Sequence, residues 1–582
     1  MKNKIKYSLP NLTFLILILL TLQSNAQISF EWAGAISGSN YKSVHSIAID
    51  HNNNTIVTGY FKATVDFDLS TNSYNLTSNG GKDIFVAKYD SNNSLLWAFN
   101  IGGTNNDESN SVAVDSEGSI YITGSYANFV DFDLGSDVFS LSISSNVFIA
   151  KYNSNGDFVN AFDFGGFGHV GKSICIDNLD NIIVTGILHG VGDFDPSVNI
   201  MNLTSTGLDD IFIAKYDSDL NYLWASNFGG DSYLSTSDAG NSITTDNNNN
   251  IFCTGVFRNT VDFDLGVGSN LLTSNGDQDA FLLKLDATGN YNWALNVGNG
   301  SKDKGISVSS DSNGNVVIAG IFLGTVDFDP SSSTANFSSS VTHYSFIAKY
   351  DALGNYLWTL LMPDRFHERD RVIVSDDLDN IYCTGSFKES IDFDSSSESE
   401  ILNSNNDSMD IYIAKYNNAG EYIWAYNLGS SFVSTYEIHE IGNAISIDNN
   451  NDVILAGTFD ETVDFDIDIS TYDLTSIGQN FYADAFIAKY TQLDINLGIE
   501  NFDNLINVLW PNPTSEYVNI TLNSNNEPLE VSIYNRNGKL LIHKDAKLYD
   551  TTFTVELPSI SGVFFIKLQS STETYTFKVI KK

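Results

Sequence analysis

The chain has 582 residues, 42% hydrophobic and 13% aromatic, with 43 Gly, 8 Pro and a formal net charge of −42. The apolar content is enough for real cores, and a surface of this sign repels nucleic acid and anionic membrane, so neither is an expected partner. The charge is uneven: residues 27–500 hold 18 basic and 63 acidic side chains, a net of −45, whereas residues 501–582 hold eight of each.

The N-terminus has the layout of an export signal. Lys2, Lys4 and Lys6 form a basic region, Leu12 to Leu22 an apolar core, and Ser24-Asn25-Ala26 a small-residue cleavage site, so residues 1–26 read as a signal peptide. No Cys follows Ala26, which argues against a lipoprotein anchor, and no later apolar run approaches the length of a membrane span. The expected mature chain has no transmembrane segment and is soluble outside the inner membrane. Cys175, Cys253 and Cys383 are odd in number and show no CxxC or Cys/His metal spacing; they read as buried free thiols.

From residue 27 a single pattern repeats. A Val-Asp-Phe-Asp stretch or near variant ends at Asp68, Asp133, Asp195, Asp264, Asp329, Asp394 and Asp466, with steps of 65, 62, 69, 65, 65 and 72 residues. A period this regular means one structural unit repeated seven times. Each unit has four strand-like runs, exemplified by Ser46 to Ile49, Thr55 to Phe61, Ile84 to Tyr89 and Leu95 to Phe99, rich in β-branched and aromatic residues and bounded by Asn, Asp, Gly and Ser. No stretch of 27–490 has a helical period. The seventh unit stops at Tyr490 without a fourth run, and the missing run stands at the start of the repeat as Phe30-Glu31-Trp32-Ala33-Gly34. The simplest account is a ring in which the first strand completes the last sheet, leaving no exposed edge. The expected fold is all-β: a seven-bladed β-propeller of four-stranded blades over 27–491, with the N-terminal strand closing the last blade.

Asp, a polar turn, Asn or Ser, an apolar run and Thr-Gly (Asp115 to Gly124, Asp177 to Gly186), together with the VDFD, FIAKYD and WA…GG elements, resemble the SBBP-type bacterial β-propeller repeat. The resemblance implies a propeller on an exported or cell-surface protein. It brings no catalytic residues, because the family has no single activity.

Residues 492–508 carry no repeat pattern and read as a linker. Residues 509–582 form a different unit of six or seven short alternating strands, expected to be a small Ig-like β-sandwich. The pattern PNP, IYNRNGKLL, LPSISGVFFIKL and a terminal KVIKK is similar to the type A sorting domain of type IX secretion. It places Pro511, Asn512, Pro513, Gly538, Gly562, Lys578, Lys581 and Lys582 at its motif positions. The resemblance implies recognition by the type IX secretion machinery, followed by cleavage and surface attachment or release.

Chemistry on the repeat has two readings. In Asp66-Phe67-Asp68 the carboxylates lie at i and i+2 on one side of an extended chain, with Phe67 on the other and wedged between blades. Paired oxygens of this kind suit a hard cation such as Ca²⁺. Candidates are Asp66 with Asp68, Asp131 with Asp133, and above all Asp464, Asp466 and Asp468. Alternatively the aspartates accept turn N–H groups and fix the loop; sevenfold repetition favours this, since a structural device is needed in every unit. A second acidic position (Asp107, Asp238, Asp303, Glu368 and Glu440, with Lys42 and His169 in the other two units) is expected to line the central mouth. No HExxH, GxSxG or phosphate-cradling loop is present. The preferred function is a binding scaffold for extracellular glycan or protein. The alternatives are a polysaccharide hydrolase or lyase acting at the mouth, and a structural surface-layer protein. The charged link from Met362 to Arg371, with His439 and Glu440, is where the repeat is least regular and where a ligand would be sought.

Overall fold

The computed structural model describes residues 27–164, 168–231, 238–339, 344–362, 372–396, 399–405, 408–430, 440–467, 470–478 and 482–493, and seven strand-bearing segments between 506 and 581. Two units separate: Ser29–Thr491, and Gln492–Lys582 grouped with Met1–Ile28. Every described regular element longer than a turn is a strand, and no described helix is long and apolar enough to cross a membrane.

In Ser29–Thr491 the repeat gives four-stranded antiparallel sheets. The first joins Lys42–Ile49, Thr55–Phe61, Asp83–Tyr89 and Leu95–Ile101 in that order. Runs such as Thr55–Phe61 are buried almost throughout because both faces are covered by neighbouring sheets. Seven such four-strand sets are found among the described residues. In the last, Asp484–Leu493 is flanked by Gln27–Gly38, the N-terminal strand.

The Thr-Gly pair of the second strand, Ala-Gly in the fifth and seventh units, sits where two sheets meet. A β-bulge interrupts the first strand opposite it, between Val44 and Ser46 in the first unit and at the same place in five others. The bulged backbone comes so close that a Cβ on Gly59 would lie 1.9 Å from Ser43 O, so only glycine fits. The adjoining Thr58 is buried and donates its hydroxyl to Phe85 O at 2.7 Å.

Each first strand packs against the first strand of the next unit, and Ile441–Ile447 packs against Lys42–Ile49. Hydrogen bonds mark the succession: the N–H groups of Val112, Ile174, Ile243, Val308 and Ile373 donate to the Oγ of Ser46, Ser111, Ser173, Ser242 and Ser307. Between the seventh and first units, Asn443 Nδ2 donates to Val44 O at 3.0 Å and Asn449 Nδ2 to Asp50 O at 3.2 Å. The outer strands repeat the relation. Trp293 and Trp358 donate their indole N–H to Ala352 O and Asn418 O of the following unit, and Trp32 of the N-terminal strand donates to Ser91 O of the first.

The connection after VDFD, read from the sequence as a long variable link, is a hairpin. Thr64–Asp66 pairs with Asn75–Thr77, and the same ribbon recurs at 260–273, 325–338, 390–403 and 462–475. Cross-strand hydroxyl pairs such as Thr260 with Thr273, 2.8 Å apart, hold it. In the second and third units the ribbon continues the main strands, Ile120–Asp131 with Ser140–Tyr152 and Ile182–Asp193 with Asn202–Tyr216.

The C-terminal unit has two antiparallel sheets. Ile506–Trp510, Tyr517–Leu522 and Thr552–Glu556 form one; Leu540–Ala546, Leu529–Asn535, Gly562–Gln569 and Thr574–Lys581 form the other. Val518, Ile520 and Val555 of the first share one apolar cluster with Ile533, Ile566 and Val579 of the second.

Candidate functional site

The VDFD aspartates hold turn backbone. The first carboxylate of each copy accepts two N–H groups through Oδ1, from the residues two and eight positions on. Asp66 takes Asp68 N–H and Tyr74 N–H, Asp131 takes Asp133 and Phe139, Asp464 takes Asp466 and Tyr472, and the other four copies match. The second carboxylate accepts the N–H two residues on, Ser70 for Asp68 and Gly135 for Asp133. Asp468 lies outside the described residues. Among the described residues no group of three His, Cys, Asp or Glu side chains could hold a metal ion.

The intervening Phe is the packing half of the device. Phe67 is fully buried against Phe61 and Phe85, in a cluster that includes Ile454, Ala456, Ala485 and Ile487 of the seventh unit, so it does sit between sheets. Its carbonyl accepts the Tyr89 hydroxyl at 2.9 Å. Five other units repeat this bond from Tyr152, Tyr216, Tyr350, Tyr416 and Tyr490; the fourth has Leu285 there. The Tyr of the FIAKY run, which the sequence offered as a strand residue only, thus fixes VDFD.

The second acidic position does not line an open mouth. Asp107, Asp238, Asp303 and Glu440 are fully buried at the junctions between units, because their oxygens serve backbone amides. Asp238 takes Gly230 N–H and Arg258 N–H, both at 2.7 Å; Asp107 takes Gly103 and Ala127, Asp303 takes Asn299 and Leu323, and Glu440 takes Ser430. Glu368 lies outside the described residues. Each faces a second buried carboxyl from the start of the preceding third strand: Asp83, Asp210, Asp279 or Asp410. A Cβ on Gly229 would lie 2.2 Å from Asp210 Oδ1 and 3.0 Å from Asp238 Oδ2, so the glycine lets the pair close. Desolvation first, then the facing carboxylate, pushes Asp107 up to about 6, Asp238 and Asp303 up to about 7 and Glu440 up to about 8. Where Lys42 takes the position, it makes a buried ion pair with Asp484 at 2.6 Å.

The aspartates of the first turn lie against the repeated lysines. Asp50, Asp177, Asp311 and Asp448 pair with Lys88, Lys215, Lys349 and Lys489 at 2.9, 2.8, 2.7 and 3.1 Å. The same lysines reach the neighbouring unit, as Lys88 does at Ser154 O and Lys215 at Ala287 O. Asp50 also caps its turn, accepting Asn52 N–H and Asn54 N–H. Although these carboxylates are partly desolvated, the lysine and turn hydrogen bonds hold Asp50, Asp177 and Asp311 below the usual range.

Symmetry breaks at the junction of the second and third units. In the first, third and sixth units an Asn of the outer strand donates to the buried Asp of the third strand: Asn100 to Asp83 at 3.0 Å, Asn227 to Asp210 at 2.6 Å and Asn427 to Asp410 at 2.9 Å; the fifth unit has Tyr344 and Leu361 at these positions. In the second unit the two are exchanged, as Asn146 and Asp163, and the Phe61 position is Tyr126, whose hydroxyl donates to Asp163 Oδ2. Asn146 is fully buried and neither amide atom has a hydrogen-bond partner. His169 takes the junction position, its Nδ1 accepting His189 N–H at 2.9 Å, and His189 Nδ1 lies 2.8 Å from Asp209. The VDFD valine is replaced by Gly192, beside the His169 ring. A groove of about 330 Å³ opens here, lined by Leu141, Ala161, Phe162, Asp163, Asp193, Asp195 and Pro196. The sequence reading looked instead to the link after Met362 and to His439; residues 363–371 and His439 lie outside the described residues. The exchange is legible only when the units are aligned position by position.

Cys253 and Cys383 are buried and Cys175 is partly buried, and none of the three is in a disulfide; burial pushes Cys253 up to about 12. In the C-terminal unit, Gly562 pairs with Lys581 across neighbouring strands and Phe565 with Lys578. Lys581 Nζ donates to Pro558 O at 2.6 Å. Pro511, Asn512, Pro513, Gly538 and Lys582 lie outside the described residues.

Residues 508–582 match the secretion system C-terminal sorting domain, and residues 97–125 match the SBBP beta-propeller repeat. The chain is therefore an all-β protein that carries a propeller repeat and ends in a sorting domain. The second match runs from the outer-strand Trp97 through buried Asp107 and the bulge to Gly124, the stretch that makes one junction between units. The sorting domain implies use of the type IX secretion machinery and points to export, with secretion or attachment at the cell surface. The chain is 24% identical over 537 residues to an uncharacterized WD repeat-containing protein, L264, of Acanthamoeba polyphaga mimivirus, covering 79% of this chain and 38% of that protein. It is 33% identical over 85 residues to the regulatory protein FlaEY of Caulobacter vibrioides, covering 15% of this chain and 9% of that one. The chain thus spans well under half the length of either relative. Among solved structures, rhamnogalacturonan lyase YesW aligns with 10% identity over 79% of this chain and 91% of that one, at a TM-score of 0.23, too low to carry an argument.

Proposed function

We propose that this chain is an exported binding scaffold: a closed seven-bladed propeller over residues 27–491, joined by a linker at 492–508 to an Ig-like sorting domain at 509–582, with residues 1–26 removed as a signal peptide. The observation that carries the reading is the sorting-domain match over 508–582. Ring closure is supported by Gln27–Gly38 lying beside Asp484–Leu493, and by bonds from the seventh unit to the first that repeat those between other units. The partner is an extracellular glycan or protein. Binding rather than turnover is favoured because the repeated carboxylates serve backbone amides or lysines. Turnover of a polysaccharide by the purified mature chain, abolished by changing one carboxylate, would replace this reading with the enzymatic one. Saturable binding without turnover is the expected result.

A further inference from the structure

In a repeat protein a device needed for folding recurs in every unit, and a device for a ligand stands where the pattern departs. The departure at the second and third units is coordinated across Tyr126, Asn146 and Asp163. Ordinarily the outer-strand amide satisfies the buried acid. Here the acid has moved toward the groove, where Tyr126 holds it, and the buried amide opposite Tyr126 is left with both its donor and its acceptor unused. A buried amide with no partner is a cost that folding alone gives no reason to accept. Over this junction lies the groove in which Asp163, Asp193 and Asp195 stand beside Phe162, Leu141 and Pro196. Asp193 and Asp195 are fixed by backbone N–H groups that all fall on Oδ1, leaving the Oδ2 side clear of those bonds.

We propose that this groove is a carbohydrate-binding subsite of the scaffold for a neutral sugar unit. The inference rests on the binding-scaffold reading and names its site and ligand class. A sugar ring combines hydroxyl donors, which carboxylates in fixed positions accept, with an apolar C–H face, which suits Phe162, Leu141 and Pro196. At about 330 Å³ the groove is at the small end of ligand sites. Its three carboxylates, within a segment of net charge −45, disfavour uronic acids and sulfated sugars.

The test uses the full mature chain on an array of neutral, amino-sugar and uronic-acid oligosaccharides, followed by calorimetric titration of any binder. The deciding variant is Y126F/N146D/D163N, which installs the arrangement of the first and sixth units (Phe61, Asp83 and Asn100; Phe387, Asp410 and Asn427). Its new buried carboxylate faces His169, as Asp484 faces Lys42, so it should melt at or above the wild-type temperature. The expected result is binding of a neutral glycan by wild type and at least tenfold weaker binding by this variant. D195N, which keeps the Oδ1 bond to Ser197 N–H and removes the charge, should also weaken binding about tenfold and serves if the triple variant does not fold. Unchanged affinity in a folded variant overturns the subsite while leaving the scaffold reading in place. Preference for uronic acids or for amines alone overturns the ligand class, and so does the absence of any glycan binding. The scaffold reading falls separately, through polysaccharide turnover or through failure of export.

Discussion

At the residue scale the VDFD aspartates are turn anchors, and their substitutions should show it. Asp262 Oδ1 accepts Asp264 N–H and Asn270 N–H, so D262A should cost about 1–2 kcal/mol. D262N keeps an oxygen in the same place and should cost much less. Urea unfolding of both variants checks this; equal loss in the two would mean that the charge matters, as the cation reading requires. Y350F removes the hydroxyl on Phe328 O, 3.0 Å away, and should cost about 1 kcal/mol; the fourth unit, with Leu285, shows that the sheet forms without it. Alternation along the strand was enough to place Phe67 inside and its flanking carboxylates outside. The tyrosine bond was not legible, because it joins positions 22 apart through a hairpin that periodicity does not reveal. Nor was the burial of Asp107 and Asp238: a sequence shows an acidic side chain, not the backbone amides that draw it inside.

At the element scale, the junctions between units titrate. Asp107, Asp238, Asp303 and Glu440 have folded values raised to between about 6 and about 8. The folded state therefore holds protons that the unfolded chain releases near pH 4. Their contribution is full below that pH and is lost as pH rises through 6 to 8. Asp50, Asp177 and Asp311 are lowered, so their contribution is present above pH 4 and is lost as pH falls further. Melting temperature should peak near pH 4 and decline as pH rises toward about 8. E440Q should flatten the alkaline limb; a profile level from pH 5 to 9 in the wild type would refute this account of the junctions. The four strand runs per unit were legible from β-branched runs between turn residues. The ribbon after VDFD was not, since its second strand is three residues long and only its central Leu76 is partly buried. Asn146 and Asp163 show the same limit: each is ordinary alone, and only their exchange carries meaning.

At the scale of the whole molecule, the proposed ring depends on Gln27–Gly38. A chain beginning at Ser39 would leave Asp484–Leu493 as an open edge and strip Trp32 from Ser91 O and Glu31 from Lys489, 3.3 Å away. It should melt at lower temperature and aggregate, as scattering during a thermal ramp would report; an unchanged melt would rule out closure. The delivery half of the proposal rests on the C-terminal unit, whose neutral charge and separate core set it apart from the acidic repeat. Cell fractionation of a host that has type IX secretion, expressing either the full chain or one lacking residues 508–582, tests the central claim most directly. The account predicts the full chain at the cell surface or in the medium, and the truncated chain folded but held in the periplasm. Equal appearance of both outside the cell would contradict it.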